Sequence, residues 1–389
     1  MTPAARIAAA IDVLDIWCSG VPAEQALTRW ARQSRFAGSK DRAAVRDHVY
    51  DVLRSKDTAA TFGGGVSGRA LMLGLLRSRG EDVAAFFTGA GYGPDPLTEN
   101  EAAFAPATPD AWVWNMPDWL VEAVTTSLGD KSMDAARILQ TRAPVTVRVN
   151  RHKGDVENAR ALLAQVDIHT TQNPVEENAL TITDGARRLR NSPAYLDGFV
   201  ELQDAASQAV VALLPPAPRC LDYCAGGGGK ALAIAAQEGR EVFAHDHAPE
   251  RMKEISMRAA RAGVTVHELS SGVLEQHAPF DLVLCDVPCS GSGAWRRSPE
   301  GKWSFTPERL AELQQIQSDV LSKAANLVSA NGWLIYATCS LLKTENEDIV
   351  AQFLSDNSDW HCVLEKRFDV CDDADGFYTA HLKRDLTQQ

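Results

Sequence analysis

From about residue 201 the chain alternates short apolar runs with segments of helical period, and few folds admit that alternation. The runs RCLDYC, EVFAHD, VTVHEL, FDLVLCDV and GWLIYATC are separated by ALAIAAQEG, PERMKEISMRAARAG and PERLAELQQIQSDVLSKAANLVSA. Strand–helix–strand repetition predicts an α/β, doubly wound, mostly parallel Rossmann-like sheet with helices on both faces, over residues 201–389. Ligands of such sheets sit outside the carboxyl ends of the strands, where the strand order reverses. Function is therefore to be sought in the loops at those ends.

The remainder divides in two. Residues 1–125 are predominantly helical: ARIAAAIDVLDIW, EQALTRWARQ and DRAAVRDHVYDVLRSK carry apolar residues at helical spacing, and TFGGGVSGRA is a glycine-rich break before RALMLGLLRSRG. The Pro- and Ala-rich GYGPDPLTENEAAFAPATPD reads as a connector. Residues 126–200, with PVTVRVN, VENARALLAQV and ALTITDG, predict a small α/β segment. A chain of 389 residues is too long for one core, so separate domains are expected.

Composition removes several function classes. Apolar content of 45% with 23% charged residues is that of a soluble globular protein, and no apolar run approaches the roughly 20 residues that span a bilayer. Asp12 and Asp15 interrupt the first apolar stretch, which reads as an amphipathic helix rather than a signal peptide, so a cytoplasmic location is expected. The eight cysteines show no CxxC pairs with histidines at zinc-ligand spacing; free thiols and no metal are expected. A net charge of −12 argues against a generally basic nucleic-acid binder. Local basic clusters remain, at Arg137, Arg142, Arg148, Arg151 and Lys153 and at Arg187, Arg188 and Arg190, and a solvated face accounts for each of them equally well.

The first strand-end loop is LDYCAGGGGK, where Gly226, Gly227, Gly228 and Gly229 let backbone N–H groups and a helix N-terminus approach a ligand. Ala231 follows Lys230 where a phosphate-binding P-loop needs Ser or Thr. Asp246, about 20 residues on at the end of the next strand, is placed to accept from ribose hydroxyls. A ribose acceptor without a pyrophosphate fingerprint points toward S-adenosylmethionine.

Two thiols complete the pattern: Cys289 in DVPCSGSG and Cys339 in YATCSLLKTENE, at the ends of adjacent strands. A thiolate adds to carbon 6 of a pyrimidine and so makes carbon 5 nucleophilic enough to take a methyl group. A lone strand-end cysteine is usually a small buried hydrophobe, but two beside a cofactor loop imply pyrimidine carbon-5 methylation.

LDYCAGGGGK, DVPCSGSG, WRRSPEGKW, YATCSLLKTENE and the closing DGFYTAHLKR resemble, in order and spacing, the RsmB/Sun (NOP/NSUN) family of RNA cytosine-5 methyltransferases. The likeness runs from PVTVRVN to the C-terminus, and the N-terminal helices resemble the NusB-type RNA-binding domain of bacterial rRNA members. The resemblance implies a Rossmann-like class I methyltransferase domain, S-adenosylmethionine as cofactor, and RNA as partner, small-subunit rRNA foremost, with no membrane, no metal and a monomeric chain. It implies that Cys339 attacks carbon 6, that Cys289 helps resolve the adduct, and that Asp286 holds the cytosine ring. Cys224, Ala225, Gly226 to Gly229, Lys230, Asp246, Ser271 and Asp286 would meet the cofactor, and Arg148, Arg297 and Lys302 the substrate.

Two departures stand out. The family's loop usually has Ala-Pro before Gly-Gly-Lys, whereas Gly226-Gly227 stand here and should make it more flexible; Ser271 replaces an Asp near the adenine, which should weaken cofactor binding. A rival reading is an RNA-binding or ribosome-assembly factor that kept the fold and lost activity.

Overall fold

Apolar side chains at helical spacing fold the N-terminal part of the chain into α1 (Pro3–Cys18), α2 (Ala23–Gln33), α3 (Ser39–Arg54), α4 (Lys56–Gly63) and α5 (Gly68–Ser78). The computed structural model describes residues 1–106 and 113–385, so the end of the connector read at 91–110 lies outside the described residues. Ile7, Leu14, Val45, Val49, Leu53 and Leu71 meet in one buried core. α4 and α5 cross so closely that a Cβ on Gly74 would lie 1.7 Å from the Ala59 carbonyl oxygen; only glycine permits that approach. Residues 295–304, far downstream, belong to this helical unit.

That late segment caps two of the helices. α2 begins at Pro22 without a side-chain cap of its own. Glu300 supplies one, its carboxylate accepting from Ala23 N at 3.0 Å and from Trp17 Nε1 at 3.0 Å. At the other end of the unit, Lys302 Nζ donates to the carbonyl of Arg54, the last residue of α3, at 2.8 Å, and Trp303 Nε1 donates to Leu53 O at 2.6 Å. An anion at a helix start and a cation at a helix end both oppose the backbone dipole favourably.

The second unit holds two sheets. The smaller has the order β2 (His169–Gln172), β3 (Ala179–Asp184), β1 (Val145–Val149), β4 (Val200–Leu202), each pair antiparallel, with the helix Val156–Ala164 supplying Ala159 and Leu163 to its core. The larger runs β10 (Trp360–Phe368), β11 (Phe377–Arg384), β9 (Val328–Thr338), β8 (Phe280–Asp286), β5 (Arg219–Asp222), β6 (Glu241–Ala244), β7 (His267–Glu268). β7 to β9 by way of β6, β5 and β8 are parallel, and β11 and β10 close the sheet antiparallel. This is a Rossmann-like, doubly wound and mostly parallel sheet. The third strand read in the sequence as VTVHEL shrinks to two residues, and the antiparallel pair was not foreseen as strands.

β5 lies between β6 and β8, so the chain reverses its direction of travel across the sheet there. The switch point opens a crevice at the carboxyl ends of β5 and β8. Among the described residues no helix is long and apolar enough to cross a membrane.

Candidate active site

Every loop singled out in the larger sheet emerges at the carboxyl end of its strand. Asp222 ends β5, Asp286 ends β8 and Cys339 follows β9 directly, while Asp246 and Cys289 sit two and three residues beyond β6 and β8. Asp222, Ala225, Gly226, Gly227, Gly229, Lys230, Asp286, Cys289 and Cys339 all line one cavity of about 690 Å³.

The two sulfur atoms stand 3.5 Å apart on its wall. The hydrogen bond with Cys339, then burial, then the charges of Cys339 and Glu345, hold the Cys289 thiol well above the usual range. Cys289 thus holds its proton tightly, and either sulfur can be the donor of the pair. Both thiol loops are braced from behind by Glu345, a fully buried carboxylate. It accepts from Ser290 N at 2.8 Å, Gln317 Nε2 at 3.0 Å and the hydroxyls of Ser290 and Ser340 at 2.5 Å each. Asn346 adds a second tie, donating to Ser340 O at 2.9 Å. A buried carboxylate with four donors fixes geometry because losing any one leaves a desolvated charge short of a partner.

Opposite the thiols, Lys230 Nζ donates to Asp286 Oδ2 at 2.6 Å. Burial would pull this ammonium down, but the Asp286 carboxylate outweighs it and the group is raised, so Lys230 stays charged. Asp222, 1% exposed, lies behind the pair. No hydrogen bond of good geometry reaches either of its oxygens, although the Ala231 amide is near enough to pull the carboxyl down a little. Burial first, then the neighbouring Asp286, push its carboxyl up to about 7 against the pull of Lys230. A buried, unmatched carboxylate on a cavity wall suits a cationic ligand group.

The glycine loop is held at several points. Gly226 N donates to Asp246 Oδ2 at 2.8 Å and Gly228 N to Ala225 O at 2.8 Å. Arg258 bonds the Gly227 carbonyl, and Arg148 Nη1 bonds that of Gly229 at 2.9 Å. Gly228 has φ +81°, and a Cβ there would come 2.7 Å from Ile255 Cγ1. The extra glycines therefore sit in a tied turn rather than a loose one.

A second cavity, about 850 Å³, shares Cys224, Arg251 and Pro288 with the first and is lined by Asp246, His245, Ser271, Leu274, Ile316 and Val320. A buried carboxylate, Asp246, beside apolar walls fits a nucleoside. Asp246 is buried, accepting from Gly226 N, Ala248 N at 3.0 Å and Arg251 Nη1 at 3.0 Å. Ser271 Oγ is 2.9 Å from His245 Nε2, and His245 Nδ1 is 2.8 Å from Tyr223 O. Burial pulls His245 below its ordinary value, so the ring is neutral at pH 7, Nδ1–H donates to the Tyr223 carbonyl, and Nε2 accepts from the serine hydroxyl. The Ser271 oxygen is left to accept from a ligand.

Three expected substrate contacts fall elsewhere. Arg148 is buried under the glycine loop, tied to Gly229 O and Gln203, and serves the loop instead of RNA. Lys302 is 1% exposed inside the helical unit, and burial pulls it down to about 7; its helix-capping bond replaces the RNA contact. Arg297 is exposed in the same segment and lines neither cavity. Of the basic stretch 137–153, Lys153 makes an exposed bond within the chain, donating to Asp197 O at 2.6 Å. The sequence reading gave no role to Asp222 or His245, nor to Glu345, although Glu345 stands in the quoted YATCSLLKTENE.

Known proteins resemble this chain in sequence and in fold. A family model described as 16S rRNA methyltransferase RsmB/F matches residues 211–383, and one described as the RsmF/B-like methyltransferase ferredoxin-like domain matches 116–187. The chain is 31% identical over 258 residues to the probable ribosomal RNA small subunit methyltransferase B of Synechocystis, covering 64% of this chain and 58% of that protein. It is 30% identical over 264 residues to the counterpart of Bacillus subtilis, covering 64% and 59%. The match thus spans under two thirds of these relatives. Among solved structures, one titled Crystal Structure of PH0851 superposes with TM-score 0.74 at 23% identity, over 99% of each chain. A methyltransferase homolog from Pyrococcus horikoshii gives 0.61 at 23%, over 70% of this chain and 96% of that one. At these identities the likeness is one of fold.

Proposed function

Because residues 211–383 belong to the RsmB/F family of 16S rRNA methyltransferases, we propose that this protein methylates carbon 5 of a cytidine in ribosomal RNA, with S-adenosylmethionine as donor and Cys339 as covalent nucleophile. The observation that carries this reading is the pair of sulfurs 3.5 Å apart on the wall of the cavity that also holds the glycine loop and Asp286. Retention of both thiols in that place favours an enzyme over an assembly factor that has lost its chemistry.

The residues suit the cofactor. Asp246 meets the ribose, Ser271 accepts from the adenine amino group, and the Asp222 carboxylate balances positive charge at the methionine end. Bound there, the cofactor supplies an electrophilic methyl group on sulfur. Asp286, paired with Lys230 at 2.6 Å, holds the cytosine edge.

Cys289 and Cys339 lie within hydrogen-bonding distance of each other, so a proton can pass between the two sulfurs. The Cys339 Sγ–C6 bond forms, carbon 5 takes the methyl group, a proton leaves carbon 5, and the Sγ–C6 bond breaks. Once Cys339 is bonded to carbon, the hydrogen bond and charge that hold Cys289 high are gone, and Cys289 becomes competent to move the carbon-5 proton. The target base must leave its stack to reach this cavity, which is easiest in a loop or single strand.

Incubating the protein with small-subunit rRNA and labelled S-adenosylmethionine, then digesting to nucleosides for mass spectrometry, should give 5-methylcytidine. Label in N4-methylcytidine or in adenosine would refute the carbon-5 assignment.

Replacing Ser271 with aspartate exchanges a neutral acceptor for a charged one. Such a hydrogen bond is stronger by about 1 kcal/mol, so Ser271→Asp should bind S-adenosylmethionine several-fold to about tenfold more tightly by calorimetry. Equal affinities would show that Ser271 does not face the adenine.

A further inference from the structure

A further wall of the cavity that holds the two thiols is built from Phe305, Arg309 and Leu313, at the start of the helix Pro307–Ala325. Arg309, Leu313 and Gln317 recur every four residues and so share one face of that helix. Gln317 is buried and fixes the face, its Nε2 donating to Pro288 O, one residue before Cys289, at 3.0 Å and to Glu345 Oε1 at 3.0 Å. Eight residues back, about 12 Å along the axis, Arg309 is exposed while lining the same cavity, which places it at the mouth. Thr306 caps the helix by accepting from Arg309 N at 3.2 Å, and that cap sets the direction from which Phe305, the preceding residue, enters.

A base cannot reach the thiols without bringing its phosphate to the mouth, where a cation must meet it. Of the cations lining the cavity, Lys230 is buried against Asp286 at 2.6 Å, and Arg251 is paired at 3.0 Å with the buried Asp246. Both are held to carboxylates of the site. Arg309 is paired instead at 2.8 Å with Glu312, one turn along its own helix, with both side chains more than half exposed. An exposed pair of that kind contributes little and is readily exchanged for a phosphate. Phe305, half-buried, is among the described residues the one aromatic ring lining this cavity. A base drawn out of its stack loses its π-face contacts, and an aromatic side chain at the place it enters restores one of them.

We propose that Arg309 and Phe305 hold the target nucleotide in the catalytic cavity, Arg309 by its phosphate and Phe305 by stacking on the unstacked cytosine. The inference rests on the methyltransferase reading and deepens it, assigning at this cavity the substrate contacts that were expected of Arg148 and Lys302.

The test uses the full chain and measures initial rates of methyl transfer from labelled S-adenosylmethionine to small-subunit rRNA, from about 50 to about 300 mM KCl, with rRNA binding by filter retention in parallel. Arg309→Ala should raise KM for rRNA about fivefold with kcat nearly unchanged, and should lower the salt slope of log kcat/KM and of log affinity by about 0.7, the share of one phosphate on a single strand. Arg309→Lys, which keeps the charge, should keep the wild-type slope. Phe305→Leu should lower kcat/KM about fivefold or more with the slope unchanged, and Phe305→Tyr should not. Leucine fills the space without a π-face, so a packing role would spare Phe305→Leu. Calorimetric affinity for S-adenosylmethionine should match wild type in every variant, which also shows that they fold. A wild-type slope in Arg309→Ala overturns the phosphate contact, and a wild-type kcat/KM in Phe305→Leu overturns the stacking contact. A wild type that makes no 5-methylcytidine sinks the methyltransferase reading instead, and the binding slope then decides Arg309 by itself.

Discussion

On the proposed mechanism, Cys339→Ala should abolish methyl transfer, whereas Cys289→Ala should leave RNA covalently attached to the protein. The two outcomes differ because the sulfurs, though 3.5 Å apart, are proposed to act at different carbons of the base. Removing the nucleophile removes the only route that makes carbon 5 reactive, so labelled methyl incorporation should fall by at least about 10⁴-fold, as when other covalent nucleophiles are deleted. Removing Cys289 takes away the group that can move the carbon-5 proton while leaving Cys339 free to add. The adduct then forms and persists, visible as a slow band on a denaturing gel that nuclease collapses. The double variant should show neither product nor band. Turnover by Cys339→Ala would sink the nucleophile assignment; an adduct formed by Cys339→Ala but not by Cys289→Ala would exchange the two roles.

How far these residues could be read in the sequence depends on whether their signal is local. Beyond Asp281, β8 is a continuous apolar run, Leu282 to Cys285, buried on both faces and ending in Asp286, and such a run reads as a central parallel strand from composition alone. β11 was missed because it interrupts its buried run with Thr379 and His381, both satisfying a core position with a polar side chain. The cysteines, the glycine loop and Asp246 were legible because strand-end position in a doubly wound sheet is already a statement about one rim of the molecule.

The segment 295–304 misled for the opposite reason. Trp295, Arg297, Lys302 and Trp303 form a basic and aromatic cluster, the same composition that marks RNA contact. Lys302 and Trp303 instead meet the end of α3 and Glu300 the start of α2, roughly 250 residues earlier in the chain. Nothing in a ten-residue window separates a cation that meets a helix carbonyl from one that meets a phosphate. Arg148 carries the same ambiguity, since its partner, the Gly229 carbonyl, lies 81 residues away. The Ser271–His245 contact likewise joins two strand ends that sequence keeps 26 residues apart.

Asp222→Asn should stabilise the unliganded protein and cripple cofactor binding. The carboxyl is raised from 3.8 to about 7 in the folded chain, so between those values the folded state holds a proton that the unfolded state has released. Folding stability from this group is therefore intact below about pH 4 and is lost as pH rises toward 7. The full loss corresponds to about 3 pH units, or about 4 kcal/mol as an upper figure. Asparagine cannot ionise and escapes that loss. Urea unfolding of the variant should then show a gain of a few kcal/mol over wild type at pH 8, shrinking to nothing near pH 4. The same carboxylate is the unmatched negative charge on the cavity wall, and a cationic ligand group that meets it recovers what burial costs. Calorimetry at pH 8 should show S-adenosylmethionine bound at least about 100-fold more weakly by Asp222→Asn, and wild-type affinity should climb from pH 5 to pH 7.5 as Asp222 ionises. A variant that gains stability but keeps wild-type affinity would separate the two effects and leave Asp222 as a strained core residue with no part in the site.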